Sequence, residues 1–433
     1  MRREAMCVCA LVCALVCALG VGCGGGEVEE VRFPFLSPAD PLDISEIERG
    51  VSVRHGEPLA MATNVVEGVG KTAEQFDHVI LRLRAYDDQA QRLGEYTQHP
   101  VSSVDSRPAP DFVAQPALGD MDRRARDLND EIDEALTLAS RPSGFARRSV
   151  VVDLFRTRGD WYVRWDGLLT EQENRTGEGP YGLGREKMFN DLLARFEAVA
   201  RDTQPVYFII GDEAERLLAT DSGAGLSAAE WANFVIFFEE AAVRIKAVSP
   251  DTKVGAGINW DRFATRVAAS YSDDDTVGNE EIDAAFTDAL LPLLAHSDVI
   301  ALRSHVSPGA DESPKGRYQY LRRMRALYGL RLPIMFYALG RPIGTASGEV
   351  AQRNHVEDFA DWVSGVNIES VFWERWINID GADTADQTPI GRCAALTSDE
   401  SLEFSVRRSR CNDGLFDSTF QTKEVWKTFG LAQ

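Results

Sequence analysis

The fold is decided by V-Y-F-I-I-G-D-E at residues 206–213 and K-V-G-A-G-I-N-W at residues 253–260, with a long amphipathic segment between them. Both runs have the length and apolar content of buried strands. The segment between them has a helical period. Ser227 and Glu230 form a capping box at its start, and Pro250 stands just past its end. The stretch therefore predicts a strand–helix–strand unit with parallel strands.

The same alternation of strand and helix extends in both directions. Strands are predicted at residues 59–65, 79–86, 149–155, 206–213, 253–260, 298–305, 332–340 and 370–376. Helices are predicted at residues 121–139, 186–200, 281–295, 315–328 and 352–363, besides the one that begins at Ser227. Eight strands with intervening helices predict an α/β fold, one (β/α)8 TIM barrel over residues 59–433. Alternation alone would also fit a doubly wound open sheet.

Composition and charge exclude several kinds of partner. The 433 residues are 44% hydrophobic and 26% charged, an ordinary globular composition, with 68 acidic and 46 basic side chains and a formal charge of −22. So acidic a chain repels phosphate backbones, which excludes nucleic acid as a partner and is compatible with neutral sugars. E-G-V-G-K-T at residues 67–72 lacks the first glycine of a phosphate loop, which excludes a nucleotide. No metal-ligand spacing or cofactor motif is present in the sequence.

The first residues are typical of an export signal. Arg2 and Arg3 precede an uncharged apolar run that ends at Cys23, and glycines and acidic residues follow. This is similar to a bacterial lipoprotein signal at residues 1–22, with Cys23 as the lipidated residue. One departure from that pattern is Gly20, where leucine is usual. We expect a lipid-anchored protein of the bacterial cell envelope, on the periplasmic or surface side, with a tether at residues 23–58. The alternative is an uncleaved membrane anchor.

Two cysteines remain in the body of the chain. Cys393 and Cys411 form an isolated pair, which in an exported protein is most simply a disulfide. They lie in a long connection at residues 380–419, after the eighth predicted strand. A second long, Pro-rich connection follows the second strand at residues 97–120. In a barrel both would lie at the rim where ligands bind. The alternative for the cysteines is two unrelated buried thiols.

Four segments at strand ends together resemble the retaining (β/α)8 glycoside hydrolases, and most nearly the arabinogalactan endo-β-1,4-galactanase family. They are L-R-L-R-A-Y at 81–86, I-I-G-D-E at 209–213, P-D-T-K-V-G at 250–255 and V-F-W-E-R-W-I at 371–377. The resemblance implies that Arg84 lines the sugar site, that Glu213 is the general acid/base and that Trp373 forms the floor of a sugar subsite. It also implies a glycan or polysaccharide as partner.

Further residues near strand ends are predicted ligand contacts. They are Asp153, Trp161, Asp212 and His305. The chain departs from the family's pattern at two positions. Asp212 stands where the family has an asparagine that contacts the sugar 2-hydroxyl, and Phe155 stands where the third strand of the family has a histidine. Sugars stack on tryptophan rings, although such rings also simply pack.

The second carboxylate of a retaining glycosidase is missing from its expected position. The family has a glutamate near the end of the seventh strand, but the strand here reads P-I-M-F-Y-A-L-G and places Ala338 there. A methyl group cannot attack the anomeric carbon. We therefore expect a barrel that has lost retaining hydrolysis and binds glycan or serves a structural role at the surface. The alternatives are a shifted register, or an active hydrolase of a β-linked polysaccharide in which Glu374 supplies the carboxylate and Glu213 the acid/base.

Overall fold

A computed structural model describes part of the chain. All the described residues belong to one compact unit, Asp40–Gln433. They are 47–54, 63–84, 121–138, 145–153, 182–217, 228–261, 263, 286–305, 318, 321, 331–340, 348–374, 425, 426 and 429. Within these residues no helix combines the length and the apolar character needed to cross a membrane.

Eight parallel strands close into a barrel in the order in which they occur along the chain. They are β1 (Glu48–Arg54), β2 (His78–Arg84), β3 (Arg147–Asp153), β4 (Tyr207–Ile210), β5 (Lys253–Asn259), β6 (Ile300–His305), β7 (Ile334–Gly340) and β8 (Ile368–Trp373). The closed order confirms the predicted (β/α)8 barrel and excludes the open sheet, because β1 pairs with β8 as well as with β2.

Helices lie in the described parts of six of the connections between consecutive strands. They are α1 (Thr63–Gln75), α2 (Met121–Leu138), α3 (Gly182–Thr203), α4 (Ala228–Val248), α5 (Leu291–Leu294) and α6 (Gly348–Trp362). A π-helical segment, Phe286–Leu290, runs directly into α5. Helix α4 begins one residue after Ser227, as the capping box predicts.

The first predicted strand, at residues 59–65, is wrong, and so is the tether that was predicted to extend to residue 58. The first strand is β1, Glu48–Arg54, and residues 63–65 of the predicted strand lie in the helix α1, Thr63–Gln75. In α1 the residues Val69 and Thr72, with Phe76 just after it, are buried at helical spacing. In β1 the side chains alternate, with Val51 in the core between strands and helices. Its short E-R-G-V-S-V-R pattern is too polar to stand out as a strand in the sequence.

Two separate apolar clusters stabilise the barrel. One fills the layer between strands and helices. The other fills the barrel interior and contains strand residues together with Val299, which directly precedes β6: Ile80, Val151, Tyr207, Ile209, Val299, Ala301, Met335, Tyr337, Ala338 and Phe372. A bulge in β7 places the consecutive residues Tyr337 and Ala338 in the same interior cluster, because Leu302 pairs with Phe336 but Arg303 pairs with Ala338.

Candidate functional site

Buried charged side chains gather at the carboxyl ends of the strands. Three carboxylates, Asp212, Glu213 and Glu374, are bound by two arginines, Arg82 and Arg303. We call these five residues the mouth cluster. All are at least nine-tenths buried; Glu374 is 1% exposed and Asp212, the most exposed carboxylate, is 9% exposed. The mouth cluster lies at the end of the barrel where (β/α)8 proteins bind their ligands.

Arg82, on β2, binds two of the carboxylates. Its Nη1 donates to Glu374 Oε1 at 2.7 Å, and its Nη2 donates to Asp212 Oδ2. The side chain is 5% exposed. Arg82 therefore links the end of β4 to the end of β8 from within the barrel.

Arg303, on β6, lies between the other pair of carboxylates. Its Nη1 donates to Glu213 Oε1 at 2.5 Å. The opposite edge of the same guanidinium faces Glu374, with Nη2 at 2.8 Å from Oε1 and Nε at 3.1 Å from Oε2. The two-point contact with Glu374 fixes the plane of the guanidinium as well as its position. One cation thus separates Glu213 from Glu374.

Neutral groups complete the hydrogen bonds of the cluster. Asn259 Nδ2, at the end of β5, donates to Glu213 Oε1 at 2.8 Å. The Tyr337 hydroxyl, in the β7 bulge, donates to Asp212 Oδ1 at 2.9 Å. The backbone N–H of Asn259 donates to Glu215 Oε2 at 2.8 Å, and Glu215 is fully buried in the turn that follows β4. Glu215 therefore holds the end of β5 against the turn that carries Glu213.

The backbone that carries Glu213 has an unusual conformation. Glu213 has φ 68° and Gly211 has φ 78°, both in the left-handed region. For glutamate this conformation costs about 1–2 kcal/mol. The neighbouring strand, β5, must also lack a side chain at Gly257, because a Cβ there would overlap the carbonyl oxygen of Gly211. The turn is strained and tightly enclosed, as backbone at functional sites often is.

Electrostatics keep the arginines and the tyrosine protonated. Burial alone would lower the pKa of Arg82, but Asp212 and Glu374 raise it above its ordinary value. Burial likewise opposes the charge of Arg303, and Glu374, Glu213 and Asp212 together raise its pKa well above the ordinary value. Burial, with Asp212 next, raises the pKa of Tyr337 well above 10.0, so that its hydroxyl stays a donor.

This arrangement limits what the carboxylates can do. Retaining hydrolysis needs two carboxyl groups about 5–5.5 Å apart on either side of the anomeric carbon, and inverting hydrolysis needs room for a water between them. The space between Glu213 and Glu374 holds the guanidinium of Arg303. In this conformation an anomeric carbon cannot lie between these two carboxylates.

The structure brings together three of the residues singled out in the sequence. Asp212, Glu213 and Glu374 all belong to the mouth cluster. Ala338 lies in the barrel interior, fully buried and paired in register with Arg303. That it marks a lost nucleophile position stays a prediction.

Trp373 does not join the mouth cluster. Its ring is fully buried in the layer between strands and helices, where it packs on Phe429 with ring centroids 5.3 Å apart. Packing in that layer is the alternative to a sugar subsite, and it is the arrangement that the structure shows. The Trp260 ring packs similarly on Phe263.

The remaining site predictions fall at the edge of what the structure describes or outside it. Arg84, Asp153 and His305 are the last residues of β2, β3 and β6, and they stay predictions. Trp161, Cys23, Cys393, Cys411 and the connections at 97–120 and 380–419 lie outside the described residues.

Sequence reasoning missed four residues of the site. They are Arg82, Asn259, Arg303 and Tyr337. One signal was available for the arginines. Arg82 stands between two leucines and Arg303 directly follows the apolar residues 299–302, each in a run of strand length, so a buried charge had to be paired. For Tyr337 there was no such signal, because the bulge that turns it inward is not visible in the sequence.

Comparison with known proteins gives likenesses of structure only, since no protein-family model and no curated protein matches this sequence. An exo-β-1,4-mannosidase from Opitutaceae bacterium strain TAV5 is 13% identical, with a TM-score of 0.48, over 89% of this chain and 59% of its own. A family 39 glycoside hydrolase from Bacteroides cellulosilyticus WH2 is 12% identical, with a TM-score of 0.47, over 90% of this chain and 64% of its own.

A third similar structure is a psychrophilic family 10 endo-β-1,4-xylanase, 11% identical, with a TM-score of 0.47, covering 89% of this chain and 96% of its own. The chain spans less than two thirds of the mannosidase and of the family 39 hydrolase. All three are glycoside hydrolases by their descriptions. The class of this chain, a (β/α)8 barrel with a buried charged cluster at its carboxyl-end mouth, follows from its own strand order and contacts.

Proposed function

We propose that this protein is a glycosidase-like barrel that binds a glycan at its mouth without hydrolysing it. The observation that carries the proposal is the Arg303 guanidinium between Glu213 and Glu374. An acid/base must exchange a proton with the glycosidic oxygen, and a nucleophile must reach the anomeric carbon. Carboxylates that share one buried cation do neither. The missing seventh-strand glutamate, with Ala338 in its place, supports the same conclusion.

A glycan is the ligand class that the sequence favours. The strand-end segments resemble galactanases, the acidic chain repels phosphate, and the mouth offers carboxylate and amide groups that hydrogen-bond hydroxyls. Asp212 is the most exposed carboxylate of the mouth cluster and is therefore the first candidate to contact a sugar.

The test is to measure hydrolysis and binding on the same preparation. Aryl β-glycosides and β-1,4-galactan should give no product, while calorimetry with galactan and other β-linked oligosaccharides should give saturable binding. Asp212→Asn should weaken that binding, and Asp202→Asn should leave it unchanged because Asp202 pairs with Arg126 at the surface. Hydrolysis that is abolished by Glu213→Gln, or the absence of binding to every β-glycan, would contradict the proposal.

A second candidate is an active hydrolase with Glu213 as acid/base and Glu374 as nucleophile. The favouring observation is that Glu213 and Glu374 lie in the same buried cluster at the carboxyl ends of the strands, each within hydrogen-bond distance of Arg303. Paired carboxylates at the mouth of a barrel are the groups that a glycosidase needs. This candidate requires Arg303 to move out. It predicts product from wild-type protein and none from Glu374→Gln.

We also propose that the barrel is anchored to a membrane of the cell envelope through lipid on Cys23. The basic first residues, the apolar run and Cys23 support this location. Mass spectrometry of membrane-extracted protein should find a diacylated Cys23 at the mature amino terminus, and Cys23→Ala should release the protein. An intact Met1 in the mature protein would contradict lipidation.

Cys393 and Cys411 are proposed to form a disulfide within the long connection after the eighth strand. Their isolation in the body of an exported chain supports the pairing. Non-reducing peptide mapping should recover the two cysteines in one linked fragment, and free thiols at both positions would contradict it.

A further inference from the structure

Carboxylates surround the guanidinium of Arg303 in the way that they would surround a bound cation. The guanidinium is contacted on one edge by both oxygens of Glu374 and at its other nitrogen by Glu213. Asp212 Oδ1 lies 3.8 Å from the same Nη1. Every polar atom of the guanidinium thus faces a carboxylate, in a barrel end that is nine-tenths shielded from solvent.

We propose that Arg303 is a built-in occupant of the barrel mouth, and that its guanidinium fills a binding site for a small planar cation formed by Glu213 and Glu374. The proposal deepens the proposed function, since it identifies the group that keeps a sugar from the carboxylates. The site itself does not depend on whether the protein binds glycan.

The shape of the site selects guanidinium over other cations. Glu374 takes two parallel N–H groups, a pattern that a planar guanidinium offers and a single ammonium does not. Because two carboxylates would otherwise be left facing each other in a buried place, the site needs a positive charge. Truncation of Arg303 should therefore leave a space that a free guanidinium ion can enter.

The experiment is chemical rescue of Arg303→Ala. Thermal unfolding of the variant is followed while guanidinium chloride is raised through low concentrations, far below those that unfold proteins. We expect Arg303→Ala to melt well below wild type, and guanidinium to raise its Tm with saturation, as specific ligands do. Wild type and Arg126→Ala, which loses a surface pair, should show no saturable rise. Methylammonium and sodium chlorides should stabilise Arg303→Ala far less.

A double variant tests whether Glu374 forms the guanidinium site. In Arg303→Ala combined with Glu374→Gln the two-point contact is gone, and the guanidinium rescue should fall at least tenfold in apparent affinity. Equal stabilisation of Arg303→Ala by methylammonium and guanidinium, or no saturable effect of either, would overturn the proposal.

The wild-type protein offers a test that does not require the variant to fold. Nitrogen-15 NMR of arginine-labelled wild-type protein should show slowly exchanging Nη protons from the two buried guanidinium groups of the mouth cluster, those of Arg82 and Arg303. Absence of any protected Nη proton would overturn the proposal as well.

Competition separates this inference from the proposed function. If a sugar takes the place that Arg303 vacates, β-linked oligosaccharide should compete with guanidinium for Arg303→Ala. Rescue without competition would leave the cation site standing and place any bound glycan elsewhere at the mouth, whereas a lack of glycan binding to wild type would contradict the proposed function alone. Glycan binding to wild type without guanidinium rescue of Arg303→Ala would support the proposed function and overturn the cation site.

Discussion

Arg82 and Arg303 are charged residues that each directly follow a leucine in a largely apolar stretch of strand. L-R-L-R on β2 and A-L-R-S on β6 each place an arginine on the inward face, next to leucines that face the helices. The period of two along a strand predicts this inward direction, and burial then requires an anionic partner. Sequence reasoning could therefore have predicted that both arginines pair with carboxylates. It could not have predicted which carboxylates, because that depends on how strands far apart in sequence meet at the mouth.

Replacement of Arg82 tests the strength of the mouth cluster. Arg82→Ala should lower the free energy of unfolding by about 3–5 kcal/mol, because it leaves Asp212 and Glu374 buried without their shared cation. Denaturant unfolding measures the change. The matched control is Arg126→Ala, whose pair with Asp202 is half exposed and should contribute at most about 1 kcal/mol. Equal effects of the two variants would show that the cluster adds little stability.

Ala338 offers a second test, since it pairs in register with Arg303 on the neighbouring strand. Ala338→Glu should place a carboxylate beside Arg303 in the packed interior. We expect destabilisation by about 1–3 kcal/mol from overpacking, and no hydrolysis of aryl β-glycosides, because the new carboxylate is itself neutralised. The uncharged Ala338→Gln, of similar size, should be the less stable of the two. A more stable Ala338→Gln would show that Arg303 does not reach the introduced group.

At the scale of elements, the long helices and buried strands were predicted from periodicity, and β1 was not. Helix α4 and strands β5 and β7 have strong apolar patterns and begin within a residue or two of their predicted bounds. The polar strand β1 gains its stability from pairing with β2 and β8, which are distant in sequence. The β7 bulge depends on the same kind of non-local pairing, which explains why sequence patterns alone missed both.

Two interior glycines test how elements position the site. A Cβ at Gly257 would overlap the Gly211 carbonyl oxygen and lie 3.1 Å from the Tyr337 hydroxyl, whereas a Cβ at Gly50 would meet Phe372 and the carbonyl oxygen of His78. Both alanine variants should be destabilised, by about 1–3 kcal/mol each. Only Gly257→Ala should also weaken glycan binding, because only Gly257 touches the turn that carries Glu213. Calorimetry on the two variants decides the matter, and equal loss of binding would refute this positioning role.

At the scale of the whole molecule, the two ends of the barrel hold different polar clusters. The carboxyl end holds the mouth cluster, and the amino end holds His78 with Glu48, Arg147 and Ser149. Between them lies the apolar interior. The chain has an excess of acidic side chains, yet in both clusters the described carboxylates are paired with cations. Net charge read from the sequence therefore does not show how buried carboxylates are compensated: in the mouth cluster, three of them share two arginines.

The amino-end cluster makes stability depend on pH through His78. His78 is fully buried, with Nδ1 at 2.6 Å from Glu48 Oε1 and Nε2 at 2.7 Å from Ser149 Oγ. Burial lowers its pKa below 6.5, and the hydrogen bond and charge of Glu48, with Asp77, oppose this without cancelling it, while Arg147 adds to the lowering. The folded protein therefore keeps His78 neutral at a pH where the unfolded chain has already bound a proton.

The sign of the pH effect follows from that difference in bound protons. Above 6.5 both states carry a neutral histidine, and the contribution of His78 to stability is complete. As the pH falls through 6.5 towards the lower folded pKa, the free energy of unfolding should decrease by at most about 1.4 kcal/mol per pH unit for this one proton. Denaturant unfolding between about pH 5 and 7 avoids most of the titration of Glu48. Burial raises the pKa of that carboxyl, but His78 and Arg147 together outweigh the burial and hold the pKa below 4.5. His78→Asn should flatten the slope over this range. A wild-type slope that survives in His78→Asn would show that another group controls the acid stability of the barrel.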